Sequence, residues 1–324
     1  MRIVLINGSR IPVFTYGGTE RVMWCLGKEL SRLGHQVTFL VKEGSSCDFA
    51  KVVHLRRGMS IVSQLPRDHD IAHFHHQPDG EVSMPYIVTN HGNRSSEEGL
   101  DVHTVFVSRD QAQRFQSAAY VHNGLDWNEY PKPDWSMPRT YFHFLGKAAW
   151  KNKNVKGAIS IARKAGQDLR VLGGRRLNFK MGFRLTLDRH VRFYGLVGGE
   201  EKARLINGSR GLLFPIVWHE PFGLAVIESL FYGCPVFGTP YGSLPELVTK
   251  EVGLLSANSQ ELVEGIKNWD RYDSRKCHEY ARNNFSSERM AREYLEWYER
   301  ILNGHAPNSQ RPRWKQPRRT LLPF

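Results

Sequence analysis

The amino-acid sequence predicts an α/β fold built from two Rossmann-like, doubly wound halves in tandem. Three observations predict it. Short apolar runs alternate with amphipathic stretches of helical length, the signature of strands joined by helical crossovers in a parallel sheet. That alternation runs through once before a proline-rich break and once after it. The 324 residues also exceed one ordinary core and suit two domains of roughly 150 residues each.

The opening MRIVLING is a short apolar strand, and the glycine-bearing loop SRIPVFTYGG follows it. TERVMWCLGKELSRLGH reads as a helix, because Val22, Met23, Leu26, Leu30 and Leu33 recur at helical spacing and Gly34 is a stop signal. QVTFLV is a second strand; DIAHFHH, PYIVTNH and HTVFVS are further strands, RDQAQRFQ a helix and AAYVHNG a strand. LDWNEYPKPDWSMP carries three prolines and no period, as an interdomain linker would. The second series is TYFHFLG (strand), VKGAISIARKAG (helix), DLRVLGG and HVRFYGLV (strands), GEEKARLING (helix), SRGLLFPIV (strand), FGLAVIESLFYG (helix) and CPVFGTP (strand). Helices from Ser259 end in SSERMAREYLEWYERIL, opened by a capping box at Ser286 or Ser287. The expected domains are residues 1–136 and 137–285, a terminal helix over 286–304 returning to the first domain, and a basic proline-rich tail over 305–324. Two such halves would place a ligand cleft at the carboxyl ends of their sheets.

Composition narrows the classes. Hydrophobic residues at 40%, with 8 Trp, 17 Phe and 12 Tyr, exclude wholesale disorder. No run approaches the ~18 apolar residues of a membrane span, and the chain enters its first strand without a signal-peptide pattern, so a cytoplasmic location is expected. Cys25, Cys47, Cys234 and Cys277 lack metal-ligand spacing and read as free thiols. The net charge of +13 attracts anions: nucleotides, nucleic acid or acidic lipid. From His305 onward Arg311, Arg313, Lys315, Arg318 and Arg319 occur without an acid, beside Trp314, Leu321, Leu322 and Phe324. Such a tail fits an anionic membrane surface at about 1 kcal/mol per basic residue; it equally fits a strap packed on the body.

The chemistry concentrates in residues 214–247. A strand ends near Pro215, a loop holds His219 and Glu220, and a helix is expected from about Phe222 with Gly223 in its first turn. A helix start exposes backbone N–H groups, and glycine lets an anion approach them, so this is a seat for a diphosphate. Eight positions separate Glu220 from Glu228; ionised carboxylates accept hydrogen bonds only, which suits the hydroxyls of a sugar and a ribose. A departing diphosphate gains negative charge and needs cations, and a lysine-rich loop follows the first strand of the second half. Gly17 and Gly18 lie between the first strand and its helix. His91 ends a strand. His73, His75 and His76 cluster, with His73 and His75 on one face, but no second cluster completes a metal site.

HEPFGLAVIE resembles the E-x7-E element of retaining glycosyltransferases of family 4, which have the GT-B fold. YGGTERV is similar to that family's N-terminal Gly-Gly loop, TNHG to its T-x-H-[GD] strand end, and VSRDQAQRF and VHNGLD to its next two elements. FLGK with the lysines after it resembles G-R-x(4–5)-K, and GTPYGSLPEL resembles the closing G-G-x-P-E loop. The resemblance implies a GT-B protein with an acceptor-side first domain and a nucleotide-sugar-binding second domain. It implies that Glu220 contacts the donor sugar and Glu228 the ribose, that the amides near Phe222, Gly223 and Leu224 hold the phosphate with Lys147 and Lys153, and that Gly17, Gly18 and His91 face the donor or the reaction centre. Lys147 stands where the family has Arg, and the second lysine is one residue displaced, so Lys151 and Lys153 both stay open. No cofactor and no essential metal are implied.

The expected reaction is retaining transfer from a nucleoside-diphosphate sugar, UDP ahead of GDP, to a glycan or lipid-linked acceptor in cell-envelope polysaccharide synthesis. Peripheral contact with an anionic membrane at the inner face is the accompanying expectation. A sugar-nucleotide 2-epimerase on the same fold is one alternative, separated by product analysis. A basic nucleic-acid-binding protein is the other, but it leaves the paired glutamates unexplained; no nucleic-acid partner is expected.

Overall fold

A computed structural model of the chain describes residues 1–13, 17–93, 98–179, 183–314 and 321–324. The chain divides into two compact units, Met1–Trp127 with Phe285–Gln316, and Asn128–Asn284 with Pro317–Phe324. The division therefore falls at Trp127, upstream of residue 136, beside a 3-10 turn over Trp127–Glu129.

Unit 1 opens with β1 (Arg2–Asn7), α1 (Gly18–Arg32), β2 (Gln36–Lys42), β3 (Lys51–Leu55), β4 (Ile71–Phe74), β5 (Tyr86–Asn90), β6 (Thr104–Phe106) and α2 (Arg109–Arg114). Its six strands run in the order β3-β2-β1-β4-β5-β6, with every neighbouring pair parallel. Val4, Ile6, Leu40, Ala72, Phe74 and Val88 form the core on one face. Strands covered on both faces carry near-continuous apolar runs, as RIVLIN does. The first βα crossover was legible from its spacing. AAYVHNG, expected as a strand, makes only a single bridge from Tyr120 to Phe106; the chain then leaves the sheet, and Leu125 bonds to Phe285 and Ser287.

Unit 2 comprises β7 (Tyr141–Leu145), α3 (Val155–Lys164), β8 (Leu169–Leu172), β9 (Leu177–Asn178), β10 (Arg184–Leu185), β11 (Val191–Phe193), α4 (Gly199–Asn207), β12 (Ser209–Phe214), α5 (Leu224–Phe231), β13 (Val236–Gly238), α6 (Leu244–Leu247), β14 (Gly253–Leu255), α7 (Ser259–Lys267) and α8 (Ser274–Asn284). Its large sheet runs β11-β8-β7-β12-β13-β14, and β9 with β10 forms a separate two-stranded ribbon. Strand order reverses between β1 and β4 in unit 1 and between β7 and β12 in unit 2. In doubly wound sheets the crevice outside the carboxyl ends at this reversal is the ligand site.

The last helix, α9 (Ser287–Leu302), belongs to unit 1 and is capped by the Ser286 hydroxyl, which accepts from the Arg289 amide. Its Tyr294 and Tyr298 are fully buried. The described part of the tail is packed on the body: Trp314 lies 5.6 Å from the Phe115 ring beneath the Arg114 guanidinium, and the Leu322 amide donates to Val217. Lys315, Arg318 and Arg319 lie outside the described residues.

Candidate active site

In unit 2 the reversal point is furnished by the segments after β7 and β12. After β12 the chain runs from Pro215 to Gly223 before α5 begins at Leu224, not at Phe222 as the sequence suggested. Gly223 is the residue before the helix, with φ +104°, a backbone conformation that glycine adopts without a Cβ penalty. That left-handed turn delays the helix, and no side chain caps its start. The loop is clasped by the segment after β13: Glu220 bridges to Gly242, the Ser243 amide donates to the Glu220 carbonyl, and the Ser243 hydroxyl donates to that of Phe222. A Cβ at Gly242 would lie 2.2 Å from the Glu220 nitrogen, so this approach requires glycine.

Both glutamates are buried and each is held by one ammonium and one aromatic donor. Glu220 accepts from Lys153 Nζ at 2.6 Å and from Trp218 Nε1 at 2.7 Å. Glu228 accepts from Lys202 Nζ at 2.5 Å and from the Tyr130 hydroxyl at 3.0 Å. The Lys153 ammonium also lies over the Trp218 ring, 5.1 Å from its centroid, and that of Lys202 over Tyr130 at 5.5 Å. Buried charges are tolerated when paired and hydrogen-bonded in this way. Of the two lysines the sequence left open, Lys153 is buried against Glu220 and Lys151 is exposed. Lys153 is fixed by a 3-10 turn over Lys151–Lys153 and by Asn154, whose side chain donates to the Pro215 carbonyl. Lys147, two residues after β7, is half-buried with its ammonium 4.8 Å from the Trp150 ring centroid.

In unit 1 the corresponding edge carries the loop to Gly17, which precedes α1, and Gly18, its first residue rather than a loop residue. Phe14 to Tyr16 lie outside the described residues. His75 follows β4 and His91 follows the adjacent β5, so two parallel neighbours deliver them side by side. Their rings stack at 5.1 Å, and His75 Nδ1 and His91 Nε2 share a 2.8 Å hydrogen bond. His73 stacks on His75 at 4.5 Å, and both its nitrogens are engaged, one with the Tyr298 hydroxyl and one with that of Thr89.

Burial holds the His91 imidazole down to about 4 and His73 to about 3. Burial, with repulsion from His73, His91 and His76, also pushes His75 well below its ordinary value. All three are neutral at pH 7, so one proton sits in the His75–His91 bond. His75 Nε2 is buried without a hydrogen-bond partner, and an orphaned N–H is rarer than an orphaned acceptor. The proton is therefore assigned to His75 Nδ1, which leaves His91 as the Nδ1–H tautomer, a donor rather than a base. Among the described residues no group of three His, Cys, Asp or Glu side chains is arranged to hold a metal.

Sequence reasoning missed Lys202, Tyr130 and Trp218 as partners of the glutamates, and His75 as the partner of His91. Trp218 was findable, two residues from Glu220. Lys202 and Tyr130 sit 26 and 98 positions from Glu228, and only the fold joins them.

Comparison with known proteins adds the following. Residues 127–284, a stretch that takes in nearly all of the Asn128–Asn284 part of unit 2, match the family described as "Glycosyl transferases group 1". An uncharacterized 41.2 kDa protein in the cps region of Klebsiella pneumoniae is 28% identical over 116 residues, 34% of this chain and 32% of that relative; the match thus spans about a third of the relative's length. Among solved structures, AviGT4, a glycosyltransferase involved in avilamycin A biosynthesis, superposes with a TM-score of 0.78 at 22% identity, covering 94% of this chain and 98% of that one. Alr3699/HepE of Anabaena, in complex with UDP-glucose, has a TM-score of 0.67 at 16% identity, covering 92% and 99%. The fold is GT-B.

Proposed function

We propose that the protein is a retaining glycosyltransferase of family 4 type. It moves a hexosyl group from a nucleoside-diphosphate sugar, UDP ahead of GDP, to a glycan or lipid-linked acceptor in cell-envelope polysaccharide synthesis. The observation that carries this reading is the uncapped start of α5 behind Gly223, with Glu220 before it and Glu228 within it, each buried on a lysine and an aromatic donor. A helix start of this kind favours a diphosphate, and the fixed carboxylates offer lone pairs to polyol hydroxyls. The group 1 domain match supports the class. The cps-region relative and the neighbour bound to UDP-glucose support the setting and the donor.

In this reading the amides near Phe222, Gly223 and Leu224 and the Lys147 ammonium hold the diphosphate, Lys153 fixes Glu220 against the sugar, and Glu228 takes the ribose. Gly17, Gly18 and His91 serve from unit 1, His91 as a neutral donor. The acceptor oxygen attacks the anomeric carbon from the side the diphosphate leaves; the carbon–oxygen bond to phosphate breaks, and the acceptor's proton passes to the departing phosphate. The protein supplies position and charge, so no divalent ion is required, and chelation by EDTA is expected to leave turnover intact. A cytoplasmic location belongs to the same proposal.

The test is a thermal-shift panel of nucleoside diphosphates followed by product analysis. A ligand of the folded state raises the melting temperature, so one diphosphate, UDP first, should stabilise the parent and lose its effect in Glu228→Ala. Glu220→Ala should keep nucleotide binding and lose sugar discrimination. Parent-like binding and turnover in both variants would refute the site.

A further inference from the structure

The crossover from β8 to β11 carries no helix among its described residues; it carries the ribbon of β9 and β10. Its pattern is inverted. Arg184 and Thr186 are buried, whereas Leu185 and Leu187 beside them are 50% and 79% exposed. Leu177 pairs directly with Leu185 and is exposed too. Phe179 and Phe183, 73% and 66% exposed, meet 5.9 Å apart farther along the same face.

A slipped register does not explain the inversion, because a one-residue slip would have to unmake specific bonds. The Arg184 guanidinium donates to the Arg175 carbonyl and to the Thr186 hydroxyl and lies over the Phe193 ring. Arg176 donates to the Thr186 and Asp188 carbonyls. The polar residues are thus secured inward, and a contiguous leucine and phenylalanine face is presented outward. Faces of this kind on soluble domains mark interaction sites.

The charge around the face selects the partner. Residues 173–196 contain Arg175, Arg176, Lys180, Arg184, Arg189 and Arg192 against the single acid Asp188, and of the described ones Arg175, Arg176, Arg189 and Arg192 are exposed. A second copy of the chain would bring the same positive rim and a net charge of +13 against it, so self-pairing is disfavoured. An apolar ridge bordered by cations fits a surface with an anionic outer layer and an apolar interior. We propose that the exposed face of the β9–β10 ribbon inserts into the headgroup region of an anionic lipid membrane, with the flanking arginines on the lipid phosphates. This proposal does not depend on the donor chemistry.

The experiment is cosedimentation of the full chain with phosphatidylcholine vesicles, with and without phosphatidylglycerol. The parent is expected to bind the anionic vesicles and scarcely the neutral ones, with amide exchange slowed in residues 175–179 and 183–192. Phe179→Ser with Leu185→Ser and Leu187→Asn should weaken binding by more than about tenfold, and each of Arg175→Gln, Arg189→Gln and Arg192→Gln by about fivefold. A tail variant, Lys315→Gln with Arg318→Gln and Arg319→Gln, should bind as the parent does. Since the substituted ribbon side chains are exposed, melting temperature and the diphosphate thermal shift should stay unchanged, which separates this proposal from the donor site. Four results would each overturn it: equal binding to neutral vesicles, full binding by the apolar ribbon variant, loss confined to the tail variant, or a lipid-free dimer that the ribbon variant dissociates.

Discussion

Replacing Lys202 by methionine tests whether the second glutamate of the site is held by charge. Lys202 Nζ lies 2.5 Å from Glu228, and their side chains are only 10% and 4% exposed. Removing one partner of such a buried pair strands the other and costs about 3–5 kcal/mol. The Tyr130 hydroxyl still donates to the same carboxylate, and a bond to a charged group is worth about 1.5–3 kcal/mol, so the lower end, about 3 kcal/mol, is expected. For a unit of this size that lowers the melting temperature by roughly 6–12 °C. Glu228→Gln in the Lys202→Met background removes the stranded charge and keeps an acceptor for Tyr130. The double variant should therefore recover at least about 1 kcal/mol over the sum of the singles. Urea denaturation of the four proteins gives the cycle. A Lys202→Met effect below about 0.5 kcal/mol, or strict additivity, would show that this pair does not hold the carboxylate.

Gly223→Ala meets only ordinary contacts but must adopt φ +104°; a loss of about 1–2 kcal/mol with a larger loss of diphosphate affinity is expected by thermal shift. Gly242→Ala drives a Cβ onto the Glu220 backbone and is expected to cost more than about 3 kcal/mol in urea titration. Lys147→Met should lower kcat by about tenfold or more through weaker stabilisation of the leaving group, with little change in melting temperature because the side chain is half-exposed. His143 is fully buried between the Ser209 and Ser229 hydroxyls, and burial holds it at about 3. Its folded value lies below the unfolded value of about 6.5, so the unfolded chain binds the proton first, and stability falls as pH drops from about 6.5 towards 3. His143→Gln should reduce that acid dependence by one group's share in urea midpoints measured between about pH 7 and pH 4, the remainder coming from His73, His75 and His91, which burial also holds down.

The parallel sheets were legible in the sequence because buried strands leave apolar runs and the crossovers leave a helical period, as in RIVLIN and TERVMWCLGKEL. The β9–β10 ribbon was not legible. Its strands are two residues long, and their leucines face outward, so the apolar alternation carries the wrong sign for a core-facing strand. β3 and β14 were also passed over: KVVHL is half-buried at a sheet edge, and GLL is three residues long. In the site, motif spacing marked Glu220, Glu228 and the short run that holds both Lys151 and Lys153, since those residues share one local segment or a short run. It could not reveal that Lys153 is paired with Glu220, nor supply Lys202 and Tyr130, because no local pattern encodes contacts made by strand order.

Pairing also resolves a difficulty in the site's electrostatics. Two bare carboxylates beside a helix start would repel the diphosphate that the helix amides attract, and in a buried setting that repulsion would be weakly screened. Lys153 and Lys202 cancel it, one charge for one, while leaving each glutamate acceptor lone pairs. In the proposed reading, attraction for the anion then rests on the helix start and Lys147. The two glutamates would act, in that reading, as neutralised acceptors for hydroxyls, and the cationic work would fall elsewhere. On this account Lys153→Met should impair diphosphate binding indirectly, by restoring the repulsion of Glu220, and Glu220→Gln in the same chain should restore it. If Glu220→Gln fails to rescue while Lys153→Met abolishes binding, Lys153 contacts the phosphate itself and the division of labour is wrong.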